Sequence, residues 1–179
     1  MNVRAVSRLA CLALGAFFVV SFAGRAVRAQ SSGSQLKSVE PKDIKDLIAA
    51  NKGKVVFLNF MATYCVPCHT EFPDIIKLQS KYKDSLQVVE VSMNDRTDSA
   101  ETSELTKYLS DLKPPFPVYI ASSTDDDYYK DVDPRWAAQG EGLPMTIIYG
   151  RDGKEAHFYE KALSLAEMEK DVTPLLAAK

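Results

Sequence analysis

The chain has 179 residues, of which 46% are hydrophobic and 26% are charged, and its formal net charge is −2. These values are ordinary for a globular protein, and the length suggests one domain with a single core. The sequence carries no basic excess, which argues against nucleic acid as a partner.

The first 29 residues have the pattern of a signal peptide. Arg4 and Arg8 precede an uncharged apolar run over residues 9–22, and small residues lead up to Ala29. The apolar run is shorter than the ~20 residues that a membrane-spanning helix needs, so we predict cleavage after Ala29. The alternative is an uncleaved N-terminal membrane anchor. Both interpretations predict an exported chain, and we expect it in the periplasm.

Removal of the signal peptide changes the charge and the cysteine count. Residues 1–29 contain four arginines and no acidic residue, so the formal net charge moves from −2 to −6. Two cysteines remain, Cys65 and Cys68. A pair this close in sequence closes too short a loop to stabilise a fold, and we therefore assign it a chemical role.

Residues 30–39 are rich in Ser, Gly and Gln, and we predict them to be a flexible leader. The folded domain is predicted over residues 40–179. Its first helix should begin at Pro41, because apolar side chains then recur on one helical face. Residues 51–54 should end this helix and lead into a strand at Val55.

The strand from Val55 leads directly to the two cysteines. Its nearly continuous apolar run, VVFLNF, is typical of a strand that is covered on both faces. Cys65 and Cys68 then open a helix, with Pro67 in the first turn, where a proline costs little. Unpaired N–H groups and the macrodipole at a helix N-terminus stabilise an anion, which favours the reactive thiolate. The stretch predicts redox chemistry.

The rest of the chain alternates between helices and strands. Residues 122–133 are polar and acidic, and we interpret them as a solvated surface loop; the alternative is a surface patch that faces a partner. In chain order, the other predicted elements are a helix to residue 82, a strand over 86–93, a helix over 102–112, a strand over 116–120, one or two helical turns over 133–139, strands over 145–149 and 154–159, and a helix from residue 165.

The order of these elements predicts the fold class. The early strand–helix–strand units imply parallel pairing through right-handed crossovers. Asp152 and Gly153 mark a hairpin turn, which implies antiparallel pairing near the end of the chain. We therefore predict an α/β domain with a mixed central sheet and helices on both faces.

Two motifs carry a family resemblance. FMATYCVPCHTEFP, over residues 60–73, and EGLPMTIIYGRDGK, over residues 141–154, occur in the order and spacing of the thioredoxin superfamily. Together they resemble the exported TlpA/ResA-like thiol-disulfide oxidoreductases, whose usual pattern is NFWA[ST]WCxPC followed by GxPTTxx[IVL]DxxG. The resemblance covers about residues 40–178 and implies a thioredoxin-like fold.

The resemblance implies roles for the residues of both motifs. Cys65 would be the nucleophile that attacks a partner's disulfide, and Cys68 would resolve the mixed disulfide. Val66-Pro67 would tune the redox potential. Pro144 would be a cis-proline that faces the cysteines and exposes the backbone of Leu143 to a partner strand, whereas the alternative is an ordinary trans loop proline.

Several positions depart from the family pattern. Tyr64 stands where the family usually has Trp, and it would still contact substrate; Met145 stands where Thr is common. Asn59 matches the TlpA-like branch, which often has Asn, but it occupies the position of a buried Asp in cytosolic thioredoxins, and an amide tunes the site without shuttling a proton. Another base could serve instead, and Glu71 and Glu141 are candidates, although both are expected to be solvated.

Three other chemistries compete for the cysteine motif. CVPCH also matches the C-x-x-C-H pattern of c-type haem attachment, with His69 as the iron ligand. A Cu(I) site could use the two thiolates with His69 or His157. A thiol peroxidase would need a Pro-x-x-x-Thr-x-x-Cys pattern, which the residues before Cys65 do not match. The buried strand before the motif and the Gly-x-Pro strand after it favour disulfide exchange.

The resemblance also implies partners. The chain would be a monomeric enzyme without a bound cofactor that reduces disulfides of partner proteins, as in cytochrome c maturation and related envelope pathways. A membrane-embedded electron donor would return it to the dithiol form. The Val-Pro dipeptide does not set the direction, because C-x-x-C potentials span about −270 to −120 mV.

Overall fold

The computed structural model describes residues 36–178, so the predicted signal peptide and most of the predicted leader lie outside the described residues. No helix in this range is long and apolar enough to cross a membrane. The elements are β1 (Lys37–Val39), α1 (Pro41–Ala50), β2 (Val55–Met61), α2 (Val66–Tyr82), β3 (Leu86–Ser92), α3 (Ser99–Leu112), β4 (Val118–Ala121), α4 (Asp126–Val132), α5 (Pro134–Gln139), β5 (Met145–Tyr149), β6 (Glu155–Tyr159) and α6 (Leu165–Ala177), with a 3-10 turn at Lys83–Ser85.

The strands of the described residues form one mixed sheet in the order β1-β4-β3-β2-β5-β6. The pairs β2–β3, β3–β4 and β1–β4 are parallel, whereas β5 is antiparallel to both β2 and β6. Parallel pairing follows from the helical crossovers, and antiparallel pairing follows from the hairpin between β5 and β6. The predicted α/β architecture with a mixed sheet is confirmed.

Helices cover both faces of the sheet. Successive side chains of a strand point to opposite faces of the sheet, so the contacts of Asn59 and Phe60 in β2 show which helices cover each face. Asn59 bonds to Glu71 of α2, and α2 packs with α6 and, through its aromatic side chains, with α3. Phe60 packs against Trp136 of α5, and α5 and α1 both contact α4. The core lies on both sides of β2, all of whose residues are buried.

The domain begins before the predicted boundary at residue 39. Lys37–Val39 form β1, which pairs in parallel register with Tyr119–Ala121, and Val39 is fully buried. The prediction of a flexible leader is therefore wrong for these three residues. A three-residue strand is too short to show a period of its own, and pairing with a distant strand orders it.

The prediction of a solvated loop over residues 122–133 is also wrong. Most of this segment forms α4, whose N-cap is Asp125, and the side chains of Tyr128 and Tyr129 are buried. Tyr128 donates to the carbonyl of Val39 at 3.2 Å, and Tyr129 packs edge-on against Trp136 with ring centroids 4.6 Å apart. Asp126 and Asp127 lie in the first turn of the helix, where the macrodipole favours negative charge.

Candidate active site

The two cysteines lie at the N-terminus of α2 and form a disulfide with their Cα atoms 5.4 Å apart. Cys65 is the N-cap residue, and its Sγ accepts a hydrogen bond from the backbone N–H of Cys68 at 3.3 Å. Pro67 occupies the first turn, as predicted. The same N–H and the helix dipole are placed to stabilise a thiolate at Cys65 once the disulfide is reduced.

The surroundings of the disulfide are asymmetric. Cys65 is 8% exposed and Cys68 is 1% exposed. Around them, the side chains of Tyr64 and Val66 are 60% and 77% exposed, although both are large and apolar. Cys65 is thus the more exposed cysteine, and an exposed apolar side chain flanks it on each side in the sequence.

The turn before Cys65 is held through Thr63. The N–H of Thr63 donates to Asn94 Oδ1 at 3.0 Å, and Asn94 Nδ2 donates to Thr63 Oγ1 at 2.8 Å. Asn94 Nδ2 also lies 3.1 Å from a carboxylate oxygen of Glu101 in α3. Sequence reasoning missed Asn94, because a polar residue that follows a strand has no signature that separates it from an ordinary loop residue.

His69 holds the same turn from the helix side. Its Nε2 lies 2.6 Å from the carbonyl oxygen of Thr63, and since a carbonyl only accepts, Nε2 is the donor. The imidazole also packs on the ring of Tyr108, with centroids 4.8 Å apart. A haem ligand at His69 would have to give up both contacts.

Leu143 and Pro144 lie beside the disulfide end of the sheet. Their peptide bond is cis, as predicted; Pro144 is buried and Leu143 is half-buried. The next residue, Met145, pairs with Phe60, so the register places Pro144 beside the carboxyl end of β2, which leads into the cysteine turn. Trp136 Nε1 donates to the carbonyl of Gly142 at 2.9 Å and so fixes the loop in front of Leu143.

Asn59 is buried within the sheet and points toward α2. Its Nδ2 lies 2.8 Å from Thr146 Oγ1 and 3.2 Å from Glu71 Oε2. Asn59 therefore bonds directly to Glu71, which lies one helical turn after Cys68.

Glu71 is buried, so the expectation that it is solvated is wrong. The residue is 2% exposed, and its Oε1 accepts from the N–H of Leu163 at 3.0 Å. Burial raises the pKa of this carboxyl to about 7, although the hydrogen bonds from Leu163 and Asn59 oppose the shift. Glu71 can therefore exchange a proton at neutral pH, one turn from Cys68.

Glu141, the other candidate base, lies in the loop before Leu143. It is half-buried, its backbone is left-handed with φ 60°, and its side chain makes no hydrogen bond within residues 36–178. In the same part of the chain, no three His, Cys, Asp or Glu side chains converge as a metal site would require. Of the two candidate bases, Glu71 is the one that lies buried on the cysteine helix itself.

Comparisons with known protein sequences identify the family of this chain and two of its relatives. The Redoxin family model matches residues 28–172. The thiol-disulfide oxidoreductase ResA of Bacillus thuringiensis subsp. konkukian is 33% identical over 141 residues, which are 77% of this chain and 70% of the relative. A ResA protein of Bacillus cereus is 35% identical over 118 residues, and the match spans 66% of this chain and 57% of that relative's length.

The fold is also similar to solved structures. A thiol:disulfide interchange protein of the thioredoxin family from Chlorobium tepidum TLS superposes with a TM-score of 0.61, covering 72% of this chain and 84% of that one. Its sequence identity is 22%, so this likeness shows the thioredoxin-like fold.

Proposed function

The chain belongs to the redoxin family and to the TlpA/ResA-like branch of the thioredoxin superfamily, and we propose that it exchanges disulfides with partner proteins through Cys65 and Cys68. The observation that carries the proposal is the disulfide between these residues at the N-terminus of α2. A helix N-terminus stabilises the thiolate, and the thiolate is the nucleophile in disulfide exchange.

The reaction begins at Cys65. In the reduced protein, the thiolate of Cys65 attacks one sulfur of a partner's disulfide; that S–S bond breaks, and the other partner sulfur leaves as a thiolate. Cys68 then loses its proton and attacks Cys65 Sγ. The mixed disulfide breaks, the Cys65–Cys68 disulfide forms, and two electrons have passed to the partner.

Glu71 is the proton acceptor for the second step in this proposal. Its position one turn after Cys68 and its pKa of about 7 support this role. Asn59 and the N–H of Leu163 both donate to the Glu71 carboxyl, so they hold it in place while it takes up and returns the proton. Asn59 thereby tunes the site without carrying a proton itself.

Partner proteins would dock around Cys65. The exposed side chains of Tyr64 and Val66 offer apolar contact next to the nucleophile. The backbone of Leu143, ahead of Pro144, lies beside the carboxyl end of β2 and would pair with an extended partner segment. Val66-Pro67 would influence the redox potential through the helix start.

We place the protein outside the cytoplasm, as a monomer that reduces partner disulfides without a bound cofactor. The signal-peptide pattern over residues 1–29 supports export. The reducing direction, the supply of electrons from a membrane-embedded donor and a role of the cytochrome c maturation type follow from the family resemblance.

Trapping and potentiometry test the proposal together. Cys68→Ser should accumulate mixed disulfides with partners through Cys65, because the resolving thiol is missing. Cys65→Ser should trap no partner and should lose exchange activity.

The midpoint potential of the wild-type dithiol should lie toward the reducing end of the range, at about −270 mV. Full exchange activity in Cys65→Ser would contradict the assignment of Cys65 as the nucleophile. A potential near about −120 mV, with only folding substrates trapped, would contradict the reducing direction.

A further inference from the structure

A second buried carboxyl lies beside the one that the mechanism uses. Glu90 of β3 is 0% exposed and pairs in register with Asn59 of β2. Paired positions on neighbouring strands project their side chains to the same face, which is the face that α2 covers. Asn59 in turn donates to Glu71. Glu90, Asn59 and Glu71 therefore lie on the same buried side of the sheet, beneath the cysteine helix.

Glu90 is not engaged in the hydrogen bonds of the site. Both of its carboxyl oxygens are buried and have no hydrogen-bond partner among residues 36–178, and the same holds for Asn59 Oδ1 and Tyr108 Oη. A buried carboxylate without partners is strongly disfavoured, whereas a protonated carboxyl supplies an O–H donor in a region with unpaired acceptors.

The groups packed around Glu90 favour its neutral form. Glu71 from α2 and Tyr108 from α3 are the titratable groups that act on it, while β2 and β4 present Asn59 and Val118. Loss of solvent, and then the negative charge of Glu71, raise the pKa of Glu90 well above its ordinary value. The pKa of Tyr108 is raised to about 12, so its hydroxyl brings no charge at neutral pH.

We propose that Glu71 and Glu90 act as one carboxyl pair that holds a single negative charge at most at neutral pH and carries the proton that Cys68 exchanges. Glu71 is the member that takes and returns this proton, and Glu90 keeps its own. Glu90 is thus a positioning residue that acts through Glu71. The inference rests on the proposed function, because it concerns the resolving step.

Protons and electrons balance in the resolving step. The Cys68 thiol gives its proton to the ionised Glu71 carboxyl, and the resulting thiolate attacks Cys65 Sγ. The Cys65–partner S–S bond breaks, and the partner sulfur leaves with the electron pair. Both carboxyls are then neutral, and Glu71 returns its proton to the partner thiolate or to solvent.

Carbon-13 NMR of side-chain carboxyls in glutamate-labelled full-length protein tests the pair directly. In the oxidised wild type, the Glu71 and Glu90 signals should both follow the same two titration steps, because coupled groups share macroscopic pKa values. Glu71→Gln should leave Glu90 with one step at lower pH than in wild type, since the like charge is gone. Glu90→Gln should leave Glu71 with one step. Glu104, exposed on α3, supplies the control: Glu104→Gln should change neither signal.

A Glu90 signal that is already ionised at neutral pH would overturn the inference, as would a Glu90 titration that Glu71→Gln leaves unchanged. Wild type alone decides the first point, so the test stands even if a variant fails to fold.

A kinetic readout connects the pair to the resolving step. The rate at which Cys68 resolves a preformed mixed disulfide should rise with pH where Glu71 ionises and should show a second, alkaline step where Glu90 ionises and its charge makes Glu71 more basic. Glu90→Gln should remove the alkaline step, and Glu104→Gln should keep it. An unaltered alkaline step in Glu90→Gln would contradict a role in this reaction. The NMR titration does not depend on disulfide-exchange activity, so the two proposals can fail separately. If Glu71 and Glu90 titrate together in a protein that exchanges no disulfides, only the proposed function is contradicted. If they titrate independently in a protein that does exchange disulfides, only the carboxyl pair is contradicted.

Discussion

The carboxyl of Glu71 links the chemistry of the site to the stability of the fold. Its pKa is about 7 in the folded protein against an ordinary value of 4.5. A carboxyl whose pKa is higher in the folded than in the unfolded protein adds its full contribution to stability at pH values below the unfolded-state pKa. This contribution is lost as the pH rises from the unfolded-state pKa to the folded-state pKa. The free energy of unfolding should therefore fall between pH 4.5 and about 7, by roughly 3 kcal/mol from this group.

Glu71→Gln should remove most of this pH dependence, because an amide does not titrate. Urea unfolding of the oxidised protein at several pH values between 4.5 and about 8 measures it. Glu90 and Glu160, whose pKa values are also raised by burial, should leave a smaller slope of the same sign in the variant. Glu104→Gln, on the exposed face of α3, should keep the wild-type slope. If Glu71→Gln kept it as well, the carboxyl would already be ionised in the folded protein at low pH.

Asn94 is the residue that holds the turn in front of the nucleophile. Asn94→Ala leaves the buried N–H and hydroxyl of Thr63 without their partners, and each unsatisfied group costs about 1–3 kcal/mol. We expect a lower free energy of unfolding and an exchange rate reduced by about tenfold, since a misplaced nucleophile reacts slowly.

Exchange kinetics and urea unfolding, measured on the same samples, check this expectation. Asn51 provides the matched control, because its side chain bonds the carbonyl of Leu47 at the end of α1, away from the disulfide turn. Asn51→Ala should lower stability only. Equal exchange rates in Asn94→Ala and wild type would show that the turn keeps its place without the amide.

At the scale of elements, α4 joins the first strand to the rest of the domain. The hydroxyl of Tyr128 donates to the carbonyl of Val39, the last residue of β1, across 89 positions of the chain. The ring of Tyr129 packs on Trp136 of α5, which in turn packs on Phe60 of β2. The acidic segment over residues 122–133 is therefore a structural connector on this face of the sheet.

Tyr128→Phe should lower the free energy of unfolding by about 1 kcal/mol, the usual net worth of one hydrogen bond. The ring stays in the core, so the change isolates the hydroxyl. Tyr119→Phe is the control, because Tyr119 lies on β4 opposite Lys37 of β1 and its hydroxyl makes no hydrogen bond within the described range. A similar loss in both variants would mean that the bond from Tyr128 to Val39 adds nothing.

At the scale of the whole molecule, residues 36–178 contain one complete sheet with helices on both faces. β1 forms one border of this sheet and covers β4, which would otherwise be an exposed parallel strand. We therefore propose that the folded domain begins at β1 and not at α1.

Two shortened chains test this boundary. A chain that begins at Gln35 should match the full-length protein in urea unfolding. A chain that begins at Glu40 loses β1, including buried Val39, and should be less stable by at least about 1.5–3 kcal/mol. Its uncovered β4 edge should also promote association in sedimentation experiments. Equal stability of the two chains would place the boundary after residue 39, as first predicted.

Elements with local signals could be predicted from the amino-acid sequence alone. Such signals depend on residues a few positions apart, and three of them lie where they were predicted: the apolar run of β2, the proline in the first turn of α2 and the hairpin turn at Gly153. The paired motifs also led to the cis bond before Pro144, through the family resemblance.

The tertiary structure decided which polar side chains are buried. Glu71 is covered by the segment at Leu163, 92 positions away, and the turn at Thr63 is held by Asn94, 31 positions away. Glu90 meets Glu71 only because β3 lies beside β2 and α2 crosses above both. Helical and strand periods indicate which face of an element is apolar, but the solvent exposure of a charged group depends on segments that only the folded chain brings together.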